Sequence, residues 1–179
     1  WRVGLSRIAG AILQQYEQVG VSTVGSDLDL LGGSTPDKSD ERFWSGDVPW
    51  VTPTDVGGLE GHLLVSSARQ LSAEGARRLT AVPEGAVVMT SRAPVGNLAI
   101  ASVGLRTNQG CKSFVPPLGM ESAYLYVALY ALMQQIIGRA SGTTFIEVPA
   151  TTLRALVRPR PAHTSEVGCE KRMARGEEG

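Results

Sequence analysis

Glycine, proline and small hydroxyl side chains are combined in four short stretches, each placed where an apolar run meets a turn. The stretches are Gly32-Gly33-Ser34-Thr35-Pro36, Pro49-Trp50-Val51-Thr52-Pro53, Thr90-Ser91-Arg92-Ala93-Pro94-Val95-Gly96 and Ala140-Ser141-Gly142-Thr143-Thr144. Glycine permits close approach of the backbone and proline fixes φ, so such stretches form loops that hold one shape on a rigid frame. Small polar groups on fixed loops suit contact with an extended ligand better than they suit a catalytic centre.

Length and composition limit the chain to one ordinary domain. With 179 residues, of which 42% are hydrophobic, it can build a single core with or without tails. The two cysteines, Cys111 and Cys169, lie far apart in unlike contexts, which excludes a disulfide framework and a zinc-ligand spacing. The sequence has no apolar run of the roughly 18 residues needed to span a bilayer and no secretory signal. We therefore expect a soluble, cytoplasmic protein.

The charges sum to zero but are unevenly distributed along the chain. Residues 1–60 carry four basic and nine acidic side chains, whereas residues 61–161 carry ten basic and four acidic ones. Nine of those ten are arginine, the better bidentate partner for phosphate and guanine. A zero net charge argues weakly against nucleic-acid binding, since duplex-binding proteins usually have a basic surface. Two interpretations stay open for the middle segment: a basic face, or scattered solvated charges.

The spacing of apolar residues predicts helices and strands in a mixed order. The predicted helices are an amphipathic one over Leu5–Tyr16, a short one that Ser72 caps and that ends by Leu79, and a long, largely buried one from Glu121 to about Ile137. The predicted strands are Ser26–Leu30, Val48–Val51, Ala86–Met89, Asn97–Ser102, Ser113–Val115, Ile146–Val148 and Ala155–Val157. Pro49 confines its strand to an edge or a strand start, and Thr151 or Thr152 starts a turn between the last two strands.

These elements predict a mixed α/β (α+β) fold in a single globular domain. We expect one twisted, mostly antiparallel or mixed sheet, packed with the long buried helix and the N-terminal amphipathic helix. The N-terminal helix occupies residues 1–20 in this prediction, and the globular domain occupies residues 21–161. Residues 162–179 have few apolar side chains and no periodicity, which predicts a disordered tail.

Few side chains in the sequence suit catalysis. His62 lies in a glycine-rich turn and His163 in the predicted tail, so a Cys–His or Ser–His pair would depend on a poorly placed histidine. Asn108-Gln109-Gly110-Cys111 faintly resembles the approach to the nucleophile of papain-like proteases, but that pattern needs Gly-Ser-Cys-Trp where Lys112-Ser113-Phe114 follows. Phosphate-loop, dinucleotide and metal-ligand motifs are missing, and the acidic residues at 37–41 indicate a solvated loop. The sequence predicts no enzyme activity, no cofactor and no metal site.

A set of motifs in fixed order between Leu31 and Pro161 identifies a family. The motifs are Gly-Gly-x-Thr-Pro at Gly32–Pro36, the pair Phe43-Trp44, Pro-Trp-Val-Thr-Pro-x-Asp at Pro49–Asp55, Gly85 opening a strand, Ser-Arg-Ala-Pro-Val-Gly at Ser91–Gly96, Thr-Asn-Gln-Gly at Thr107–Gly110, Ala-Ser-Gly-Thr-Thr at Ala140–Thr144, and Pro159-x-Pro161. Each motif is weak alone, but together they resemble the target recognition domain of type I restriction-modification specificity subunits. The resemblance covers about three quarters of the chain.

The resemblance implies a non-catalytic domain that binds double-stranded DNA and recognises one half of a split target. Methyltransferase and restriction subunits of the same system would supply the chemistry. Full specificity subunits have two such domains joined by long helices, whereas this sequence holds one domain, and Ala162–Glu166 lacks the Glu-Gln pair and apolar spacing of the connecting helix. We expect a fragment, a frameshifted remnant or a half-subunit able to pair with a second half. The helix at Leu5–Tyr16 is then either the end of a preceding connector helix or a packing helix.

Candidate DNA contacts come from the loops and the basic residues. They are Arg92, Thr143, Thr144, Ser141, Lys112, Asn108, Gln109, Arg139, Thr35 and Thr52. Arg92 is the first candidate because its loop is fixed by Pro94 and Gly96, and a guanidinium binds guanine or phosphate through two hydrogen bonds. The alternative for Arg92 is an ion pair that braces the loop.

The other candidates also have structural alternatives. Threonine and serine hydroxyls suit phosphate contacts or plain turns. The amides of Asn108 and Gln109 suit adenine, although the stronger hypothesis for both is that they satisfy backbone groups. Lys112 and Arg139 suit phosphate only, and the apolar neighbours of Trp44 and Trp50 favour a core position over base stacking.

Three hypotheses from different classes remain at this stage. The first is sequence-specific DNA binding. The second is a protein-interaction domain that docks a methyltransferase subunit, with a remnant lacking DNA affinity as its variant. The third is a small enzyme that uses Cys111.

Overall fold

The computed structural model describes residues 7, 10, 11, 21–138 and 147–159. Within residues 21–138 and 147–159 the α-helices are α1 (Val24–Asp27), α2 (Pro53–Gly57), α3 (Ala73–Arg77), α4 (Ser122–Ala131), α5 (Met133–Gly138) and α6 (Ala150–Arg154). The strands are β1 (Val21–Thr23), β2 (Asp29–Gly32), β3 (Trp44–Val51), β4 (Leu63–Leu64), β5 (Arg69–Leu71), β6 (Val87–Thr90), β7 (Leu98–Ala101), β8 (Arg106–Thr107), β9 (Cys111–Val115) and β10 (Val157–Pro159). This combination confirms the predicted α/β class.

The largest sheet has five strands in the order β2-β9-β6-β7-β4. Neighbouring strands are antiparallel except β4 and β7, which are parallel. All four residues of the central strand β6 are buried because elements pack on both faces of the sheet. Burial on both faces explains why Val87-Val88-Met89 is an uninterrupted apolar run rather than an alternating one.

Helix α4 covers one face of this sheet. Residues Ala123–Leu129 are all buried, as expected for a helix that is apolar around its whole circumference. They form one core cluster with Ile100 and Phe114 of the sheet. The long helix predicted over 121–137 is interrupted at Leu132, whose ψ of −2° departs from the helical value of about −42°. Neither glycine nor proline lies at this break, so the sequence pattern does not reveal it.

The other face of the five-stranded sheet packs against α2 in a second cluster that includes Val56, Val88 and Cys111. A separate sheet of order β5-β3-β8 has its own small core around Trp44 and Trp50. In it β5 is antiparallel and β8 parallel to β3. The antiparallel pair β1-β10 forms a third sheet. The described strands are therefore divided among three sheets, where the sequence predicts one.

The prediction that Pro49 marks an edge or the start of a strand is wrong, because β3 begins at Trp44 and is the middle strand of its sheet. The ladder with β8 starts one residue later, at Trp50, opposite Arg106. At Pro49 the strand therefore pairs with β5 alone, opposite Gln70. A residue without a backbone N–H is tolerated at such a position.

The strand predicted over Ser26–Leu30 is half right. Its first residues belong to α1, and the strand is Asp29–Gly32 instead. Val24 and Leu28 are four residues apart and both buried, so one helical turn places them on the same side, against the core. The Gly32-Gly33 pair ends the strand as predicted.

The turn predicted at Thr151 or Thr152 is wrong, because both residues lie in α6. This helix begins after Pro149 and buries Leu153, which gives the short segment an apolar anchor. The helix predicted to start at Ser72 is confirmed as α3: the Ser72 hydroxyl accepts a hydrogen bond from the Gly75 N–H at 3.1 Å.

The predicted N-terminal helix Leu5–Tyr16 lies outside the described residues except for Arg7, Gly10 and Ala11, which are helical. Residues 160–179 also lie outside them, so the predicted tail and domain boundaries stay predictions. In the described part of the chain, no helix has the length and apolar character that crossing a membrane requires.

Candidate nucleic-acid interface

Three loops meet beside the ends of β2, β3, β6 and β9. We define the loop cluster as Gly33–Pro36, Ser91–Gly96 and Thr107–Gly110. The first and third loops touch at Gly33. A methyl group added there would overlap the carbonyl oxygens of Thr107 and Asn108. The Ser34 N–H donates to the Thr107 carbonyl at 2.9 Å, so the two loops are joined by their backbones. Gly33 thus lets the two backbones approach closely, which is the role that the sequence predicts for it.

A pair of adjacent glycines allows this contact to be tested. We expect Gly33→Ala to lower the free energy of unfolding by about 1–3 kcal/mol, because the new methyl group must displace two backbone carbonyls. Gly32→Ala is the matched control: nothing lies within 4 Å of a methyl group at that position, so the change should stay within about 0.5 kcal/mol. Urea unfolding followed by circular dichroism measures both, and equal values for the two variants would contradict the packing described.

The loop Thr107–Gly110 is braced from within and by its neighbours. The Asn108 N–H donates to the Val51 carbonyl, and the Asn108 Oδ1 accepts from the Gly110 N–H, both at 2.9 Å. Gln109 is exposed, and its Oε1 accepts a hydrogen bond from the Thr35 hydroxyl at 2.6 Å. Asn108 therefore uses its side-chain oxygen on its own loop, whereas Gln109 lies on the surface with its amide orientation set by Thr35.

The loop Ser91–Gly96 is attached to the same region. The N–H groups of Ser91 and Arg92 donate to the Gly110 carbonyl at 2.8 and 3.3 Å. At the base of the loop, the Thr90 hydroxyl donates to the Pro94 carbonyl at 2.6 Å and accepts from the Asn97 N–H at 3.0 Å. Gly96 has a φ of +100°, a left-handed conformation that side chains disfavour. The loop is thus held in one shape, as Gly96 and Pro94 predict.

Arg92 forms an ion pair with Glu147. Its Nε lies 3.0 Å from the Glu147 Oε2, the two backbones form an isolated bridge, and the Val148 N–H donates to the Ser91 carbonyl at 2.9 Å. The Arg92 side chain is 43% exposed, and among the described residues its two terminal nitrogens have no hydrogen-bond partner. Arg92 therefore braces the loop through Nε while its side chain stays partly exposed. The two residues are 55 positions apart, and no sequence pattern links them. Glu147 therefore could not be predicted from the sequence as the partner of Arg92.

Thr52 has a structural contact that the sequence analysis does not foresee. Its N–H and its hydroxyl both donate to the Asp55 Oδ2, at 2.8 and 2.6 Å, at the start of α2. The other Asp55 oxygen accepts from the Ala68 N–H at 2.8 Å. This arrangement commits the Thr52 hydroxyl to a helix cap.

Of the remaining candidates, Lys112 lies next to the loop cluster and the others are not described by the structure. Lys112 lies in β9 between Gly32 and Met89 and is half-buried, two residues from the Gly110 carbonyl that holds the Arg92 loop. Four candidates lie outside the described residues: Arg139, Ser141, Thr143 and Thr144. The structure thus brings Thr35, Gln109 and Arg92 into one loop cluster.

Trp44 and Trp50 belong to a core, which confirms the sequence interpretation. They are 9% and 4% exposed, and their rings meet edge to face with centroids 5.2 Å apart. Their indole N–H groups donate to the Asp37 and Ser34 carbonyls, both at 3.1 Å. The two tryptophans therefore support the chain on both sides of Thr35.

Several basic side chains are neutralised or buried. Arg42 pairs with Asp40 at 2.7 Å and its hydrogen bond keeps the pKa of Asp40 below the ordinary value; Arg78 lies 3.5 Å from Glu74. Such exposed pairs add little stability. Arg106 donates to the Ala76 carbonyl at 2.9 Å, and burial lowers the pKa of its guanidinium. The predicted basic face therefore loses Arg78 and Arg106 as freely available charges.

Cys111 is unsuited to nucleophilic chemistry. It is fully buried in the cluster with Val88, and burial, with a smaller effect of the Asp55 charge, raises the pKa of its thiol to about 12. The reactive form of a cysteine is the thiolate, which is almost absent at neutral pH with such a pKa. His62 packs beside Tyr126, which belongs to the cluster on the opposite face of the sheet.

A comparison with protein families identifies the chain as a specificity-domain protein. The family model described as the type I restriction modification DNA specificity domain matches residues 16–161. The chain therefore belongs to this family, as the sequence motifs indicate.

Named relatives agree with this assignment. The type I restriction enzyme MjaIX specificity subunit of Methanocaldococcus jannaschii is 31% identical over 157 residues, which cover 86% of this chain and 36% of that subunit. The EcoprrI specificity subunit of Escherichia coli is 24% identical over 139 residues, covering 75% of this chain and 34% of that subunit. The chain spans about a third of the length of these two relatives.

Solved structures share the fold. The HsdS subunit from Thermoanaerobacter tengcongensis superposes with a TM-score of 0.64 and 15% identity, covering 97% of this chain and 44% of that one. A chain from a study of complex assembly and conformational transition of the type I R-M system gives a TM-score of 0.67 and 17% identity, with 97% and 46% covered. At these identities the likeness concerns the fold.

Proposed function

We propose that this chain binds double-stranded DNA and recognises a short sequence in it. The observation that carries the proposal is the loop cluster, in which hydrogen bonds between three loops leave Gln109 and part of Arg92 at the surface. Preformed polar groups on a fixed backbone avoid the cost of ordering loops during binding. Membership of the DNA specificity domain family supports the same function.

The chemistry of the exposed groups suits base edges and phosphates. The Oε1 of Gln109 is occupied by the Thr35 hydroxyl, so the amide presents its N–H groups, which match acceptors such as adenine N7. The terminal nitrogens of Arg92, which have no hydrogen-bond partner within the described ranges, match guanine or a phosphate. Lys112, beside this region, suits a phosphate.

The larger assembly is part of the proposal. We infer that the chain recognises one half of a bipartite target and directs methyltransferase and restriction subunits, contributing no catalysis itself. The proposal includes pairing with a second half-subunit and a cytoplasmic location. It rests on the names of the relatives, which are specificity subunits of type I restriction enzymes.

Selection of duplexes from a random pool tests DNA recognition directly. The full chain at low salt should enrich one short uninterrupted site, and affinity for that site should fall steeply as salt rises, by a slope of about −0.9 per phosphate contacted. A pool that shows no enrichment and no salt-dependent binding would overturn the proposal. Capture of a methyltransferase subunit by a chain without DNA affinity would favour the protein-interaction hypothesis.

Arg92 and Glu147 together separate base recognition from bracing. If Arg92 contacts a base, Arg92→Ala should cost about 1–3 kcal/mol in binding and relax preference at one position. Glu147→Ala should then leave affinity unchanged or raise it, because it removes a negative charge 3.0 Å from the guanidinium. Binding titrations on the selected duplex and on single-base variants measure both. Equal losses for the two variants would assign Arg92 to the loop brace alone.

A further inference from the structure

Arg69 is an exposed arginine whose guanidinium lies over the ring of the buried Trp44 and near that of the buried Trp50. It lies in β5 opposite Trp50, and its Cζ is 3.5 Å from the centre of the Trp44 ring and 5.7 Å from that of Trp50. A guanidinium held over an indole face is attracted by the ring and loses freedom to move out of that plane. Stacking occupies a face of the guanidinium and leaves its N–H edge available for hydrogen bonds.

Three other arginines near the small sheet are engaged by protein groups. Arg42 pairs with Asp40, Arg78 pairs with Glu74, and Arg106 donates to backbone carbonyls. Within the described ranges, the Arg69 guanidinium has no ion pair and no hydrogen bond. Arg69 therefore combines a fixed plane, an exposed position and an uncompensated charge.

The position of Arg69 connects it to the loop cluster. The Trp44 and Trp50 rings that support Arg69 also donate their indole N–H groups to the Asp37 and Ser34 carbonyls. These carbonyls flank Thr35, which bonds Gln109. The same two side chains therefore hold both Arg69 and the first loop of the cluster, so the two form neighbouring parts of one surface.

We propose that Arg69 contacts duplex DNA through a planar pair of acceptors, either the O6/N7 edge of guanine or two phosphate oxygens. The inference rests on the proposed function and extends the interface from the loop cluster to the small sheet. A planar guanidinium binds both kinds of acceptor pair through two parallel N–H groups, which a lysine ammonium does not reproduce.

The test compares Arg69→Ala and Arg69→Lys with Arg78→Ala in the full chain, on the selected duplex and its single-base variants. Arg78 is the matched control because it is also exposed and lies 4.5 Å from the Phe43 ring, but pairs with Glu74. We expect Arg69→Ala to weaken binding roughly 5- to 150-fold, with Arg69→Lys regaining only part of it, and Arg78→Ala to change binding less than about threefold. Thermal unfolding of each variant confirms that it is folded, and Arg69→Lys keeps the charge if the alanine variant unfolds.

The pattern of the loss identifies the acceptor. Loss confined to one base position assigns Arg69 to guanine, and a uniform loss with a salt slope smaller by about one assigns it to phosphate. Folded Arg69 variants that bind like the wild type, or an equal loss in Arg78→Ala, would overturn the inference while leaving the proposed function intact. A wild-type chain that binds no duplex would instead overturn the proposed function and this contact with it.

Discussion

Cys111 should react with iodoacetamide about a thousand times more slowly in the folded chain than in the unfolded chain at pH 8. A thiol with a pKa of about 12 is ionised there to about one part in ten thousand, against about one part in ten for the ordinary value of 9.0. Burial of the sulfur slows the reaction further. A Cys169→Ser variant leaves Cys111 as the single thiol, and mass spectrometry of timed samples with and without urea measures the two rates.

The alkylation rate of folded Cys111 should rise with pH. Because the folded state holds the thiol proton more tightly, the folded-state rate should rise about tenfold per pH unit until about pH 12. The stability that this proton contributes is present below about pH 9 and is lost as pH rises from about 9 to about 12. Rapid alkylation of the folded chain at pH 8 would contradict the burial and return the cysteine-enzyme hypothesis to consideration.

The burial of Cys111 argues against the hypothesis of a cysteine enzyme and favours the two binding hypotheses. An enzyme based on Cys111 needs a thiolate that a substrate can reach, whereas this sulfur lies under α2 with Val56 and Val88. In the described part of the chain, the polar groups of the loop cluster include no nucleophile in contact with a base. Fixed loops of this kind are suited to binding.

The core of the fold could be predicted because its signals are local. The apolar run at Ala86–Met89 and the alternation at Asn97–Ser102 match β6 and β7 to within a residue or two. The Ser72 cap marks the start of α3 correctly. In each case the side chains that define the element are neighbours in sequence, so periodicity reports them directly.

The features that could not be predicted depend on contacts distant in sequence. Pro49 alone predicts an edge strand or a strand start. It is tolerated in the middle strand β3 because the pairing of β3 with β8 begins only at Trp50. The Arg92–Glu147 pair and the stack of Arg69 on Trp44 join residues that no spacing rule connects. Loop motifs therefore located the candidate interface, while the partners of each side chain came from the packing of three sheets.

The glycine, proline and hydroxyl motifs have a common physical role in this fold. Gly33 lets two backbones touch, Thr90 ties the base of the Ser91–Gly96 loop, and Thr52 caps α2. Most of these motif residues thus fix the loops, and two further motif residues, Gln109 and Arg92, are held at least partly at the surface.

Asp55→Ala is expected to lower the free energy of unfolding by about 2–4 kcal/mol. One carboxylate accepts three hydrogen bonds, from the Thr52 N–H, the Thr52 hydroxyl and the Ala68 N–H. Loss of the cap costs about 1 kcal/mol, and the partly buried Thr52 N–H left without an acceptor adds about 1–3 kcal/mol before relaxation, whereas the exposed Ala68 N–H can bond to water. Urea unfolding measured at pH 7 gives the value.

Asp47→Ala is the control for the lost charge, because Asp47 is exposed in β3 and makes no hydrogen bond or ion pair within the described ranges. It should change stability by less than about 0.5 kcal/mol. Asp55 also joins α2 to the backbone just before Arg69, so under the proposed Arg69 contact Asp55→Ala should weaken DNA binding even at temperatures where the variant is folded. Equal stability of the two variants would show that the carboxylate does not hold these elements together.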